Sequence, residues 1–262
     1  MSKAIKASAE KPPSFGYGWV PDLPDQRDLM YSASMMSIQK IPSKIDLRSK
    51  CPVIYNQGQL GSCTANALGA AFQFGRRMQK LDEFIPSRLF LYYNERVMIK
   101  TVNSDSGAHI RNGIKSLNVN GICPEIEWPY IVEKFTEKPS KKCYDDALKS
   151  TIKSYERLNN GNLTQLQSCL SEGFPFVFGF TVYESFETEV VAKTGMLPMP
   201  KAKEKVLGGH AVMAVGYDDS KQAIIVRNSW GKNWGLKGYF YMPYGYITSS
   251  HLAEDFWTIR IL

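Results

Sequence analysis

The 262-residue sequence predicts an α+β fold of two lobes. Three observations carry this. Apolar residues recur at helical spacing after residue 63 and again after residue 86, whereas the second half is built of β-branched and aromatic runs. The texture changes near residue 150. A helical lobe facing a β-rich lobe leaves a cleft between them, a common place for a site. The expected division is an N-terminal extension over 1–40, a mainly helical lobe over 41–150, and a mainly β lobe over 151–262.

Composition narrows the function classes. The chain is 44% hydrophobic and 22% charged, ordinary for a globular protein, and it has no run of 18 apolar residues that would suggest a membrane partner. The first ten residues lack the apolar stretch of a secretory signal, so localisation stays open. The net charge of +7 allows attraction to acidic partners. Its basic residues are scattered, however, and Lys201-Ala-Lys-Glu-Lys205 holds its own acid. With no nucleic-acid motif beside them, they read as a solvated surface.

Taken in order, residues 15–28 mix Phe15, Tyr17 and Trp19 with Pro21 and Pro24, which favour an extended path. Next comes Asn56-Gln-Gly-Gln-Leu-Gly-Ser-Cys-Thr-Ala-Asn-Ala67, where a glycine-punctuated loop delivers Cys63 to a helix start. Gly58 and Gly61 supply turn freedom. A cysteine there faces unpaired N–H groups and the positive end of the helix dipole, which favour the thiolate. A second helix begins at Pro86-Ser87, and 105–115 reads as loop then helix. Strands are expected at 174–182, 209–217, 223–228, 238–242 and 256–261, with Asp218–Gln222 turning a hairpin.

Of three histidines, His210 opens the run Gly-His-Ala-Val-Met-Ala-Val-Gly-Tyr, 147 residues after Cys63. Asn228-Ser-Trp-Gly follows, with a second Trp-Gly and Gly-Tyr239. An asparagine there can fix an imidazole tautomer, the third role in a nucleophile–base–orienter set.

Gln57 six residues before Cys63, the His210 strand and the Asn228 motif together resemble the papain-like cysteine peptidases, the cathepsin family. Ile41-Pro-Ser-Lys-Ile-Asp-Leu-Arg48 is similar to the mature start of that family, with Leu47 in place of a tryptophan. The resemblance implies a papain-like two-lobed fold and a cysteine endopeptidase. Its catalytic set would be Cys63, His210 and Asn228, its oxyanion donor Gln57, and Trp230 would shield the His210–Asn228 contact. Gly107 matches the family's substrate-pairing glycine, and Gly209 and Trp230 would line the same substrate-binding cleft. The Cys63–His210 spacing lies inside the family interval of about 130–150 residues, and Asn228 falls slightly beyond it.

By the same resemblance residues 1–40 are a short propeptide, nearest in size to the cathepsin B-like type. Trp19 or Tyr17 would fill a subsite in reversed or displaced geometry. Cleavage would fall between Asp28 and Ile41, and acid would loosen the contacts of Asp22, Asp25 and Asp28 with the basic body. Expected partners are protein or peptide substrates and protein inhibitors.

No cofactor is implied, and no metal, because no clustered ligand spacing is visible. Leu60 stands where relatives place a disulfide cysteine, and Thr64 replaces an aromatic. Cys51, Cys123, Cys143 and Cys169 do not reproduce the family's disulfide spacing and are read as reduced thiols, compatible with a reducing setting. Two rivals share the scaffold: a transpeptidase or acyltransferase, and a proteolytically silent binding protein.

Overall fold

The computed structural model describes residues 15–34 and 41–261. The stretches 1–14 and 35–40 of the expected extension, including the run just before Ile41, lie outside the described residues.

The short strand β1 (Lys44–Asp46) precedes α1 (Cys63–Met78), which is α-helical because Ala65, Ala67, Leu68, Ala71 and Phe72 present a proline-free apolar face. Arg76 and Arg77 in its last turn suit the negative end of the dipole. The second helix, α2 (Arg88–Met98), starts at Ser87, whose hydroxyl accepts the Phe90 N–H. Next is α3 (Ile110–Val119), packed with α1 and α2. Ser140 caps α4 (Lys141–Ala147) in the same way, a helix too short to show a period in the sequence.

The second half forms a seven-stranded antiparallel sheet. Its strands are β1, β2 (Ser154–Arg157), β3 (Phe176–Tyr183), β4 (Val206–Asp218), β5 (Ala223–Arg227), β6 (Tyr239–Pro243) and β7 (Ala253–Arg260). They run in the order β2-β7-β3-β4-β5-β6, with β1 added onto β4. The helices α5 (Leu163–Ser171), α6 (Glu189–Thr194) and α7 (Tyr244–Ile247) decorate it. The expected hairpin is present as β4 and β5, closed by a 3-10 turn over Asp219–Lys221.

The halves are interlocked rather than merely adjacent. β1, early in the chain, pairs Ile45 with Tyr217 of β4 in the far lobe's sheet. Ile261, near the other end, packs so closely under Gly75 of α1 that a Cβ there would lie 2.5 Å from Ile261 Cγ1. α1 also lies against β4. The helix start and the β4 strand therefore meet in one buried core, and no helix among the described residues is long and apolar enough to cross a membrane.

Candidate active site

Cys63 is the first residue of α1, and His210 sits in β4 opposite Phe180 of β3. The loop before Cys63 is fastened to the Asn228 loop. The Gln57 N–H donates to the Ser229 carbonyl at 2.9 Å, and the Gly231 N–H donates to the Tyr55 carbonyl at 2.9 Å. These bonds bring the Gln57–Cys63 loop and the Asn228 motif to one place. Gly58 has φ +62°, as its turn requires, but Gly61 is needed for space instead. A Cβ on Gly61 would lie 3.0 Å from Asp105 Oδ1 and 3.2 Å from the Tyr17 carbonyl oxygen.

Both side-chain amides are oriented by their neighbours. Asn228 Oδ1 accepts the Ser229 backbone N–H at 2.8 Å, which identifies it as the oxygen, and it lies 2.8 Å from His210 Nε2. Nε2 therefore carries the proton in the neutral ring, and Nδ1 keeps its lone pair. Trp230 stacks on the imidazole at 5.0 Å between centroids. Gln57 Oε1 accepts the Ser229 hydroxyl at 2.6 Å, so its Nε2 faces the other way.

The cleft is filled by the chain's own N-terminal segment. Gln57 Nε2 donates to the Gly16 carbonyl at 3.0 Å and to the Leu60 carbonyl at 2.9 Å. Phe15 stacks flat on Trp230 at 4.3 Å, and the Tyr17 hydroxyl donates to Glu187. Trp19 pairs with Ala108 in parallel. The Ala108 N–H donates to the Gly18 carbonyl at 2.7 Å, and the Val20 N–H donates to the Ala108 carbonyl at 3.0 Å. The Trp19 N–H donates to the Gly209 carbonyl at 3.0 Å, and its indole N–H to Asp255 at 3.1 Å. Gly107 lies directly beneath Gly18, so the backbone pairing expected of Gly107 is made by its neighbour Ala108.

This cover sets the charge state. Burial pushes the Cys63 thiol up to about 12, against the opposing pull of the Ala211, Gly18 and Thr64 backbone amides. Burial likewise pushes His210 down to about 4, against the Asn228 hydrogen bond. His210 Nδ1 has no hydrogen-bond partner, so the thiol does not donate to it. The thiolate expected from the helix dipole is thus not the favoured form here, because desolvation outweighs the dipole.

Several supporting residues carry no conspicuous signal in the sequence. Asp105 accepts the Gly61 N–H at 2.9 Å and the Tyr92 hydroxyl, fixing the loop just ahead of the cysteine. Tyr130 donates to the Gln57 carbonyl at 3.0 Å and lies 2.5 Å from the Ser62 hydroxyl. Ser229 orients both amides.

A sequence profile described as the papain family of cysteine proteases matches residues 41–258. The chain belongs to that family. It is 40% identical to a peptidase C1-like protein of Acanthamoeba polyphaga mimivirus, over 94% of this chain and 87% of that one. It is 30% identical to cysteine proteinase 1 of Entamoeba histolytica, covering 77% of this chain but 63% of the relative. Among solved structures it is similar to xylellain, a cysteine protease from Xylella fastidiosa. That match has a TM-score of 0.90 and 44% identity, covering 98% of this chain and all of the other. The papain-like α+β fold and a papain-like cysteine peptidase activity on protein or peptide substrates follow from this membership.

Proposed function

We propose that the chain is a cysteine endopeptidase made as a zymogen, with Cys63, His210 and Asn228 as its catalytic set. In the open enzyme the Cys63 thiol gives its proton to His210 Nδ1, and the sulfur attacks the peptide carbonyl carbon. The oxyanion is held by Gln57 Nε2 and the Cys63 N–H. Each such donor is commonly worth about 2.7–4 kcal/mol. His210 passes its proton to the leaving amine, which departs and leaves a thioester. Water then loses a proton to His210, attacks the thioester and releases the acid and the thiol. Asn228 Oδ1 holds the ring and its tautomer throughout. Trp230 keeps water from that bond, and the backbone edges at Gly107–Ala108 and Gly209 are free to pair with an extended peptide.

The observation that carries the zymogen reading is the placement of Gly16–Val20 over the nucleophile. The segment is not a substrate in waiting. Its Gly16 carbonyl reaches Gln57, while the amide against the sulfur is that of Gly18, an N–H donor rather than a carbonyl carbon. With no hydrogen bond between the thiol and His210 Nδ1, proton transfer is not set up.

The test is to compare the full chain with protein nicked between Asp28 and Ile41, on one fluorogenic peptide and with a peptidyl epoxide. Label mapped to Cys63, with faster turnover after nicking, is the expected result. Equal rates in both forms would remove the inhibitory role. Acyl transfer to added amines as the main product would favour the transpeptidase. Absence of label and turnover after release would favour the binding protein.

A further inference from the structure

A second cluster of chemistry-bearing side chains lies away from the cleft, in the helical lobe. Cys123 follows α3, Glu127 lies four residues on, and Cys143 stands in α4. Sequence spacing hides this set, since the cysteines are twenty residues apart, but the fold brings one ligand atom of each within 4.8 Å of the others. Cys123 is fully buried and Cys143 is 2% exposed. Glu127 Oε2 is buried and has no hydrogen-bond partner, although Oε1 is held by Lys142 at 2.6 Å. Cys143 Sγ meets the Ser140 hydroxyl at 3.2 Å, the Glu127 carbonyl at 3.7 Å and the Cys123 thiol.

We infer that Cys123, Cys143 and Glu127 form a binding site for a thiophilic divalent cation of the zinc type. Two thiolates and a carboxylate are ligands such an ion takes, at Zn–S of about 2.3 Å and Zn–O of about 2.0–2.2 Å. A tetrahedral ion with those bonds spaces its sulfurs about 3.8 Å apart, so small rotations of the side chains bring the three ligands onto it, and a water would take the fourth position. Charge also closes. Three negative ligands and Asp146, which shares Lys142, are matched by one dication, Lys142 and Lys149, which lowers the cost of burying the ligand charges. Without an ion, Glu127 Oε2 stays buried and orphaned. Binding exchanges two thiol protons for the cation, with no change of oxidation state.

The site ties the loop to α4. Its Cys123 carbonyl accepts the Ser87 N–H at 2.8 Å, and the same loop carries Tyr130, which supports Gln57. An occupied site therefore stiffens the lobe that holds the nucleophile helix.

The test uses the full-length Cys63→Ala protein, so that the cleft thiol takes no metal. The protein is stripped with a chelator and titrated with Co²⁺ and then with Zn²⁺ against a chromophoric chelator. One equivalent, a thiolate-to-Co²⁺ charge-transfer band and a raised Tm are expected. Cys143→Ser should weaken binding by more than the roughly 10–100-fold of an outer-shell change. Glu127→Gln, which keeps the shape and the fold, should weaken it by about tenfold. A charge-transfer band that survives in Cys143→Ser overturns the site, as does Zn²⁺ affinity unchanged by Glu127→Gln. So does a thiol count, on unfolding the stripped protein without reductant, that is two short because Cys123 and Cys143 are joined as a disulfide.

Discussion

Gln57 Nε2 donates to the Gly16 carbonyl at 3.0 Å, so the side chain that our mechanism assigns to the oxyanion is already occupied by the chain's own backbone. The contact depends on a very close approach. A Cβ on Gly18 would lie 1.7 Å from the Gly61 carbonyl oxygen, and one on Gly16 would lie 2.3 Å from that of Gln59. These oxygens belong to the backbone of the active-site loop and cannot step aside cheaply.

Gly18→Ala should therefore unseat the segment without touching the enzyme body. Alkylation of Cys63 by iodoacetamide in the full chain should accelerate at least tenfold, roughly the effect of 1.4 kcal/mol on the opening equilibrium. Unchanged alkylation, with the fold intact by circular dichroism, would mean that the segment is not what hides the thiol.

In the released enzyme, Gln57→Ala should lower kcat by about 10²–10³ with little change in KM, since the interaction forms with the oxyanion. Asn228→Ala should cost less than His210→Ala. Orientation is shared with the Trp230 stack, whereas the proton carrier has no substitute. Steady-state kinetics on one peptide checks both, and a Gln57→Ala effect confined to KM would contradict the oxyanion assignment.

The sequence was most legible where a side chain's role is local. The Cys63 helix, the Ser87 start, and the β4–β5 hairpin around His210 follow from periodicity, capping and turn residues. What it hid were partners far apart along the chain. Nothing near Ile45 announces that it pairs with Tyr217, nor near Asp105 that it holds the Gly61 amide. The surroundings of Cys63 are hidden for the same reason. The dipole is a property of α1, but Gly18, some forty residues upstream, is among the groups packed on the thiol. Among the acids of that segment, Asp22 and Asp28 do meet the basic body, at Arg111 and Arg157, whereas Asp25 pairs with Arg27 beside it.

Mild acid should tighten the segment rather than free it. The Arg111 and Arg157 guanidiniums outweigh burial and hold Asp28 below its ordinary value. Its contribution is therefore present above about pH 4 and lost only as the pH falls through that lower value. Asp255 has the opposite sign. Burial, with Asp22 beside it, raises it to about 7, so its contribution is complete below about pH 4 and fades as the pH climbs through 7. His109, 3.0 Å from the Val20 carbonyl, and Glu187, which accepts from Tyr17, also face the segment. Hydrogen exchange of the Val20 amide, corrected for its intrinsic rate, should show greater protection at pH 5 than at pH 8. Asp255→Asn should flatten that difference. Protection that falls steadily from pH 8 to pH 5 would restore acid release as the trigger.

Glu95 is the remaining charged group beside the nucleophile. Thr64, the residue that replaces an aromatic, donates to Glu95 Oε2 at 2.7 Å, while Oε1 is buried with no partner against Gly113 and Leu68. Burial raises this carboxyl to about 8, opposed by the Thr64 hydroxyl and the Arg96 charge. A raised folded value means that the native state holds the proton more tightly than the unfolded chain, whose glutamate titrates near 4.3. Stability from this group is thus full below about pH 4 and is lost progressively as the pH rises to 8. Glu95→Gln keeps an acceptor for Thr64 and cannot ionise. It should match wild type at pH 4, then exceed it at pH 8 by upwards of about 5 °C in Tm, since a rise of this size is worth several kcal/mol at about 1.4 kcal/mol per pKa unit. Thr64→Val removes the hydroxyl that favours the ionised form, so its decline should extend to higher pH. Parallel wild-type and Glu95→Gln Tm profiles from pH 4 to 9 would show that Glu95 titrates alike in the folded and unfolded chain, so that burial does not raise it.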